Sequence, residues 1–151
     1  MIHLLDPDTL IDLVRGIRLM EPARPRDRER QQLARRLLAH CQKMQGGGDE
    51  VGLSAITLAE LEFGARSSED YEREIAAVRK MSSPFVLYDF DAAACAAHYG
   101  EIRFALESAG APIGAMDLLI AAHALALGAT LITNNLAHFS RVPGLRCVRW
   151  G

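Results

Sequence analysis

Short apolar runs alternate along this chain with longer segments of helical period. Ile2 to Leu5 is a short apolar run that stops at Asp6 and reads as a buried strand. Thr9 to Val14 continues as a helix with Leu10, Ile11 and Val14 apolar, and Asp8 is placed to cap it. Residues 17 to 26, with Pro22 and Pro25, read as a loop. A helix follows from Asp27 to Met44, with Leu33, Leu37, Leu38, Cys41 and Met44 at helical spacing, and Gly46, Gly47 and Gly48 break it. Val51 to Ser54 predicts a second strand. Helices are expected over Thr57 to Ala65 and over Ser68 to Met81, the latter with Tyr71, Ile75 and Val78 turned inward. Phe85 to Tyr88 is a third strand, and Asp91 opens a helix that runs to Ser108 and stops at Gly110 and Pro112. Met116 to Leu127 is apolar nearly all round, which predicts a central buried helix closed by Gly128. Ala129 to Thr133 and Arg146 to Trp150 complete the strands, with a turn over Val142 to Gly144.

Alternation of this kind argues one α/β domain with a mostly parallel sheet. The 151 residues are one domain's worth of chain, and the 50% hydrophobic content supplies a core, which excludes general disorder. A net charge of −2 excludes a strongly basic coat for nucleic acid while leaving room for a local basic patch. The three cysteines, at 41, 95 and 147, form no CxxC pair, so no disulfide framework or zinc cluster is indicated. The first residues turn acidic at position 6, unlike a signal peptide, and the longest apolar stretch, Leu118 to Leu127, is too short to span a bilayer. A soluble protein of the cytoplasm, with no membrane partner, is the expectation.

Three carboxylates stand where a parallel sheet binds ligands. Asp6 ends the first strand, and ligands sit beyond the carboxyl ends of such strands. It is equally placed to cap the following helix. Glu60, in the run TLAE, fits a capping box with Thr57. Asp117 stands near the start of the buried helix, where the helix dipole favours a negative charge. Each reading puts a carboxylate at one edge of the sheet. Two like charges 4 Å apart repel by roughly 4 kcal/mol at an effective dielectric of about 20, and a hard divalent cation removes that cost. Asp8 adds a fourth carboxylate beside Asp6. Such a cluster suits phosphoryl chemistry.

Four segments carry a resemblance. LLDPDTLIDLVRG at the start, SAITLAELEFGA at 54 to 65, IGAMDLLIAAHAL at 113 to 125 and TLITNNLAHFSRVPGLRCVRW at 130 to 150 resemble, in order, the motifs of PIN-domain ribonucleases, specifically VapC-type toxins of bacterial toxin–antitoxin pairs. The resemblance implies a three-layer α/β/α domain over residues 1 to 151. It also implies an endoribonuclease dependent on Mg²⁺ or Mn²⁺, neutralised by a cognate antitoxin and assembled as a homodimer. Asp6, Glu60 and Asp117 match the family's first three acidic positions, as catalytic residues and metal ligands. The chain departs from the family at Asp8, where Asn is usual, and after Thr133, where Asn134 and Asn135 stand in place of an acidic residue. Asn135, through its amide oxygen, and Asp8 are the candidates for the outer positions, with Thr133 a supporting hydroxyl.

The segment from about Leu19 to Gly48 is longer and richer in arginine than expected for the family. Its Arg28, Arg30, Arg35 and Arg36 are candidate contacts to RNA phosphates, or else a solvated helix face. Two alternatives stay open. The missing late carboxylate fits a catalytically weakened domain that acts through antitoxin and operator binding. DPDTL also resembles the opening of haloacid-dehalogenase-type phosphatases, although Lys43 and Lys80 are the only lysines and no acidic residue follows Asp117.

Overall fold

The computed structural model describes residues 1–18 and 24–151. The part of the proline loop at 19–23 lies outside the described residues. Five strands, β1 (Ile2–Leu5), β2 (Glu50–Ser54), β3 (Val86–Tyr88), β4 (Thr130–Ile132) and β5 (Arg146–Val148), form one sheet in the order β3-β2-β1-β4-β5. Every pairing is parallel, with Leu5 opposite Leu53 on one side and Ile132 on the other. The helices among the described residues are α1 (Pro7–Ile17), α2 (Pro25–Gly46), α3 (Ala55–Arg66), α4 (Tyr71–Ser82), α5 (Ala92–Ser108), α6 (Ala115–Leu127) and α7 (Leu136–Phe139).

Alternation along the strands sorts these helices into two layers. Leu5, Val51, Leu53 and Ile132 face a core built with α1, α2, α3 and α4. Leu4 and Leu131 face the other way, into a core with α5, α6 and α7. The three-layer arrangement expected from the motifs is therefore present. The strand order reverses between β1 and β4, which makes the crevice at their carboxyl ends the place where such a sheet binds ligands.

Several boundaries differ from the sequence reading, each for a local reason. α1 starts at Pro7, whose fixed φ suits a first helical position, and Asp6 rather than Asp8 caps it through the Thr9 amide at 2.8 Å. α2 likewise begins at Pro25, inside the expected loop. Ser54 caps α3 by accepting from the Ile56 amide at 3.0 Å, so Thr57 already lies within the helix and the Thr57–Glu60 capping box does not form. The last strand is shorter than expected, and α7, a single turn, had no signal in the pattern.

Beyond β5 the chain folds back over α2. Trp150, the sole tryptophan, stacks on His40 with ring centroids 4.4 Å apart and tilts against His3 at 5.1 Å. The His3 Nε2 in turn meets Asp49 at 2.8 Å. No helix among the described residues is long and apolar enough to cross a membrane.

α1 and α2 cross at Gly16. A Cβ there would press on Ala34 Cβ and come within 2.5 Å of the Arg30 carbonyl oxygen. Gly16→Ala should therefore pry the two helices apart and cost about 1–3 kcal/mol, as overpacking does. Urea denaturation would check it, and an unchanged midpoint would mean that the crossing is loose.

Candidate active site

Asp6 anchors the crevice. Its backbone amide donates to the Ile132 carbonyl at 3.0 Å, continuing the β1–β4 ladder, and its side chain is 2% exposed. One carboxylate oxygen accepts from the Thr9 amide, and the other accepts from the Thr133 hydroxyl at 2.5 Å. Burial pushes its pKa up, and these hydrogen bonds oppose the shift only in part. Asp8 adds repulsion. The result is a buried carboxylate that, among the described residues, has no basic side chain bonded to it.

From Thr133 a chain of contacts runs across the crevice. The Thr133 Oγ1 also accepts from the Asn135 amide at 2.9 Å. The Asn135 Nδ2 stands 2.8 Å from the His138 Nδ1, which lies 3.4 Å from the Asp117 carboxylate. Asp117 occupies the first turn of α6, whose cap is Gly114 and offers no side chain, so the carboxylate is free to face the crevice. Beside this chain, Asn134 Nδ2 donates to Asp12 at 3.1 Å and ties the β4–α7 loop to α1. Burial and the nearby Asp8 raise the pKa of Asp12.

Asp6, Asp8, Glu60, Asp117 and Asn135 line one cavity of about 100 Å³, together with the buried Ile120 and Phe139. The topology thus brings the sequence candidates to one place. Glu60 arrives differently from the expectation: it sits in the second turn of α3, not at its start, and reaches the cavity along the helix. It also borders an apolar groove between α1, α3 and α4, lined by Ile11, Val14, Leu61 and Val78.

Among the described residues, no three His, Cys, Asp or Glu side chains stand close enough together to hold a metal ion. The expected chelate of Asp6, Glu60 and Asp117 is therefore not formed as the side chains stand. The reason is local. Asp6 is held by Thr9 and Thr133, Asp117 leans on His138, and Glu60 lies between cavity and groove. The donor chemistry nonetheless fits a hard divalent cation: the polar lining is carboxylate and amide, with no thiol. Burial, with a smaller part from Asp8, disfavours the charged form of Asp6, a cost that a cation would offset.

Three features of the site escaped the sequence reading. His138 was not expected there, because a one-turn helix leaves no periodicity to reveal it. Asp12 was read only as part of α1. The third is a buried contact between elements: the His123 Nδ1 meets the Ser54 Oγ at 2.6 Å.

The arginines separate into two groups. Arg28, Arg30, Arg35 and Arg36 are all exposed on α2. Only Arg30 joins a recess of about 370 Å³ lined by Arg15, Arg18, Arg24, Arg30 and Arg73, with Asp27 the one acidic member. Arg18 is held by Glu74 at 3.0 Å and Arg24 by Asp27 at 2.7 Å. Arg15 links this recess to the apolar groove, and Glu60 links the groove to the carboxylate cavity.

Comparison with known proteins places this geometry in context. The profile of the PIN domain matches residues 17–145, beginning at the end of α1 and including Glu60 and Asp117 but not Asp6. Ribonuclease VapC2 of Rickettsia felis is 42% identical over 100 residues, 66% of this chain and 74% of that protein. The tRNA(fMet)-specific endonuclease VapC of Shigella flexneri is 43% identical over 98 residues, 65% of this chain and 74% of its own. Among solved structures, VapBC2 of Rickettsia felis bound to a DNA fragment from its promoter superposes with a TM-score of 0.84 at 30% identity, over 100% of both chains. DNA-bound VapBC from Salmonella typhimurium gives 0.82 at 30% identity, over 100% of this chain and 99% of that one.

The protonation of Asp6 yields a test. Because its pKa is raised by folding, the folded protein binds the proton more tightly than the unfolded chain, and Asp6 costs stability as pH rises through its folded pKa. Asp6→Asn should raise Tm at pH 7 in metal-free buffer, with the gain shrinking as pH falls into the carboxylate range. Calorimetry across pH 4–8 reads this out, and a gain independent of pH would remove the argument from burial.

Proposed function

Because the chain belongs to the PIN-domain family, in its VapC-type ribonuclease branch, we propose that it is the toxin of a toxin–antitoxin pair. In this reading it cleaves RNA phosphodiester bonds at the cavity lined by Asp6, Glu60 and Asp117. The observation that carries the reading is the convergence of those carboxylates, from β1, α3 and α6, on one crevice at the point where the strand order reverses. The phosphatase alternative falls with the family.

Mg²⁺, or Mn²⁺ in its place, would be held by Asp6, Glu60 and Asp117, with Asp8 and Asn135 at the outer positions. When bound it would supply charge to offset the phosphate and lower the pKa of a bound water. The chain's own residues do the rest. Thr133 and Thr9 fix both oxygens of Asp6, so its orientation costs no further entropy when substrate arrives. His138, whose Nδ1 lies 3.4 Å from the Asp117 carboxylate, borders the same space. Ile120 and Phe139 add apolar surface to the lining, which strengthens the field of the carboxylates.

The arginine recess is the place for RNA backbone. Five guanidinium groups meet one carboxylate there, and their planar forks match phosphate oxygens. Arg28, Arg35 and Arg36, exposed elsewhere on α2, are the weaker candidates. Aromatic residues, at 6% of the chain, are too few for a stacking platform, which favours recognition of a folded RNA by its shape and backbone.

The solved neighbours are VapBC complexes, and a cognate antitoxin is the corresponding partner here. A basic side chain of that partner, placed among the carboxylates, would displace the cation. A homodimer and residence in the cytoplasm belong to the same reading. A second reading, a weakened nuclease acting through antitoxin and operator, draws on Asn134 and Asn135 where the family has an acidic residue.

Asp117→Asn keeps the shape of the side chain and removes its charge. It should abolish both RNA cleavage and growth arrest while leaving the circular dichroism spectrum unchanged. Full cleavage by that variant would take Asp117 out of the site, whereas a wild type that cleaves no RNA would favour the second reading. Mg²⁺ at about a hundred times its Kd should stabilise the wild type by about 2.7 kcal/mol, and Asp6→Asn far less. Equal stabilisation of both would place the ion elsewhere. For the recess, joint replacement of Arg15, Arg30 and Arg73 by Gln should lower the salt slope of RNA binding by about 2. Replacing Arg28, Arg35 and Arg36 instead should leave it nearly unchanged, and the reverse ranking would move the RNA to the outer face of α2.

A further inference from the structure

His123 is out of character for its helix. The other buried residues of α6 are Leu118, Ile120 and alanines. Ser54 is fully buried and His123 is 1% exposed. The Asp89 backbone also interacts with the ring, so the imidazole is held from both sides, and removing a partner of such a buried group costs about 1–3 kcal/mol. A buried hydrogen bond between two elements fixes their separation more sharply than apolar packing does.

The hydrogen-bond inventory fixes its direction. The Ser54 Oγ accepts from the Ile56 amide and has one proton to give. The His123 Nδ1, at 2.6 Å, is the acceptor for that proton, which puts the ring's own hydrogen on Nε2. Burial keeps the imidazole neutral, consistent with this arrangement. Phe90, from the loop before α5, closes over the ring edge-on at 5.3 Å.

The position of the pair matters more than its energy. Ser54 is the last residue of β2 and the cap of α3, and Glu60 follows six residues later. Asp117 precedes His123 by six residues on α6. At about 1.5 Å per residue, each carboxylate stands roughly 9 Å along its helix from the same hydrogen bond. α3 and α6 otherwise touch sparsely, whereas α6 packs extensively on α5.

We infer that Ser54 and His123 are positioning residues: their hydrogen bond locks α3 to α6 and sets the distance between Glu60 and Asp117. With the two backbones fixed, side-chain rotation alone would draw the carboxylates around a cation. The inference rests on the proposed cation-binding role of the cavity.

The test measures binding of Mn²⁺ alone by titration calorimetry, well below the Tm of each variant. His123→Leu, which removes the acceptor, and Ser54→Ala, which removes the donor with little change in volume, should each weaken Mn²⁺ about 10- to 100-fold, the range for groups that orient metal ligands. His123→Asn, whose amide oxygen takes the place of Nδ1, should recover most of the loss. Glu60→Gln should weaken Mn²⁺ less in the Ser54→Ala background than in the wild type, because there Glu60 is already displaced; a purely structural role predicts additive losses. Wild-type binding that persists unchanged in Ser54→Ala and His123→Leu, with only Tm lowered, overturns the positioning role and leaves the cavity's function standing. A wild-type protein that binds no Mn²⁺ overturns both.

Discussion

The site is organised around one carboxylate that folding has removed from water. Asp6 sits where β1 gives way to α1, its amide still in the sheet and its side chain already capping the helix. The positive end of α1 offsets part of the cost of burying the charge, and the Thr133 hydroxyl offsets more. That second contact crosses from β1 to β4, across the reversal in strand order. Because Thr133 also receives the Asn135 amide, the same hydroxyl sets the entry to α7, and α7 carries His138 to Asp117. A single buried charge thus organises the loop after β4.

The hydrophobic pattern revealed the layers well, because both cores are built from alternating strand positions and helical stripes that are visible in the order of residues. α6 was legible for the same reason: a helix apolar all round has nowhere to go but the interior. Helix starts were less legible, since Ser54 and Thr57 are both good caps by type, and only the backbone path decides between them. The capping box read for Glu60 does not form, which leaves the family resemblance as the signal that pointed to this residue. It arrives from the second turn of its helix, and its presence in the cavity comes from packing against α1 and α6, which no local spacing encodes. His138 and Asp12 were illegible because each acts through a partner more than twenty positions away in sequence.

Charge is distributed against the composition. A chain of net charge −2 collects five arginines around one recess and five polar or acidic residues around one small cavity, joined through an apolar groove. The chain has only two lysines among its 17 basic residues, so this basic surface is almost wholly guanidinium. Such a surface is weakly hydrated and directional, and its ion pairs with Glu74 and Asp27 hold two of the forks in defined orientations.

The return of the C-terminus over α2 has a practical consequence. Trp150 lies between His40 of α2 and His3 of β1, on the flank of the sheet that carries α1. As the sole indole in the chain, it places an intrinsic optical probe at the seam between the arginine-bearing helix and the central strand. Its emission therefore reports whether that helix stays docked, separately from anything that happens among the carboxylates.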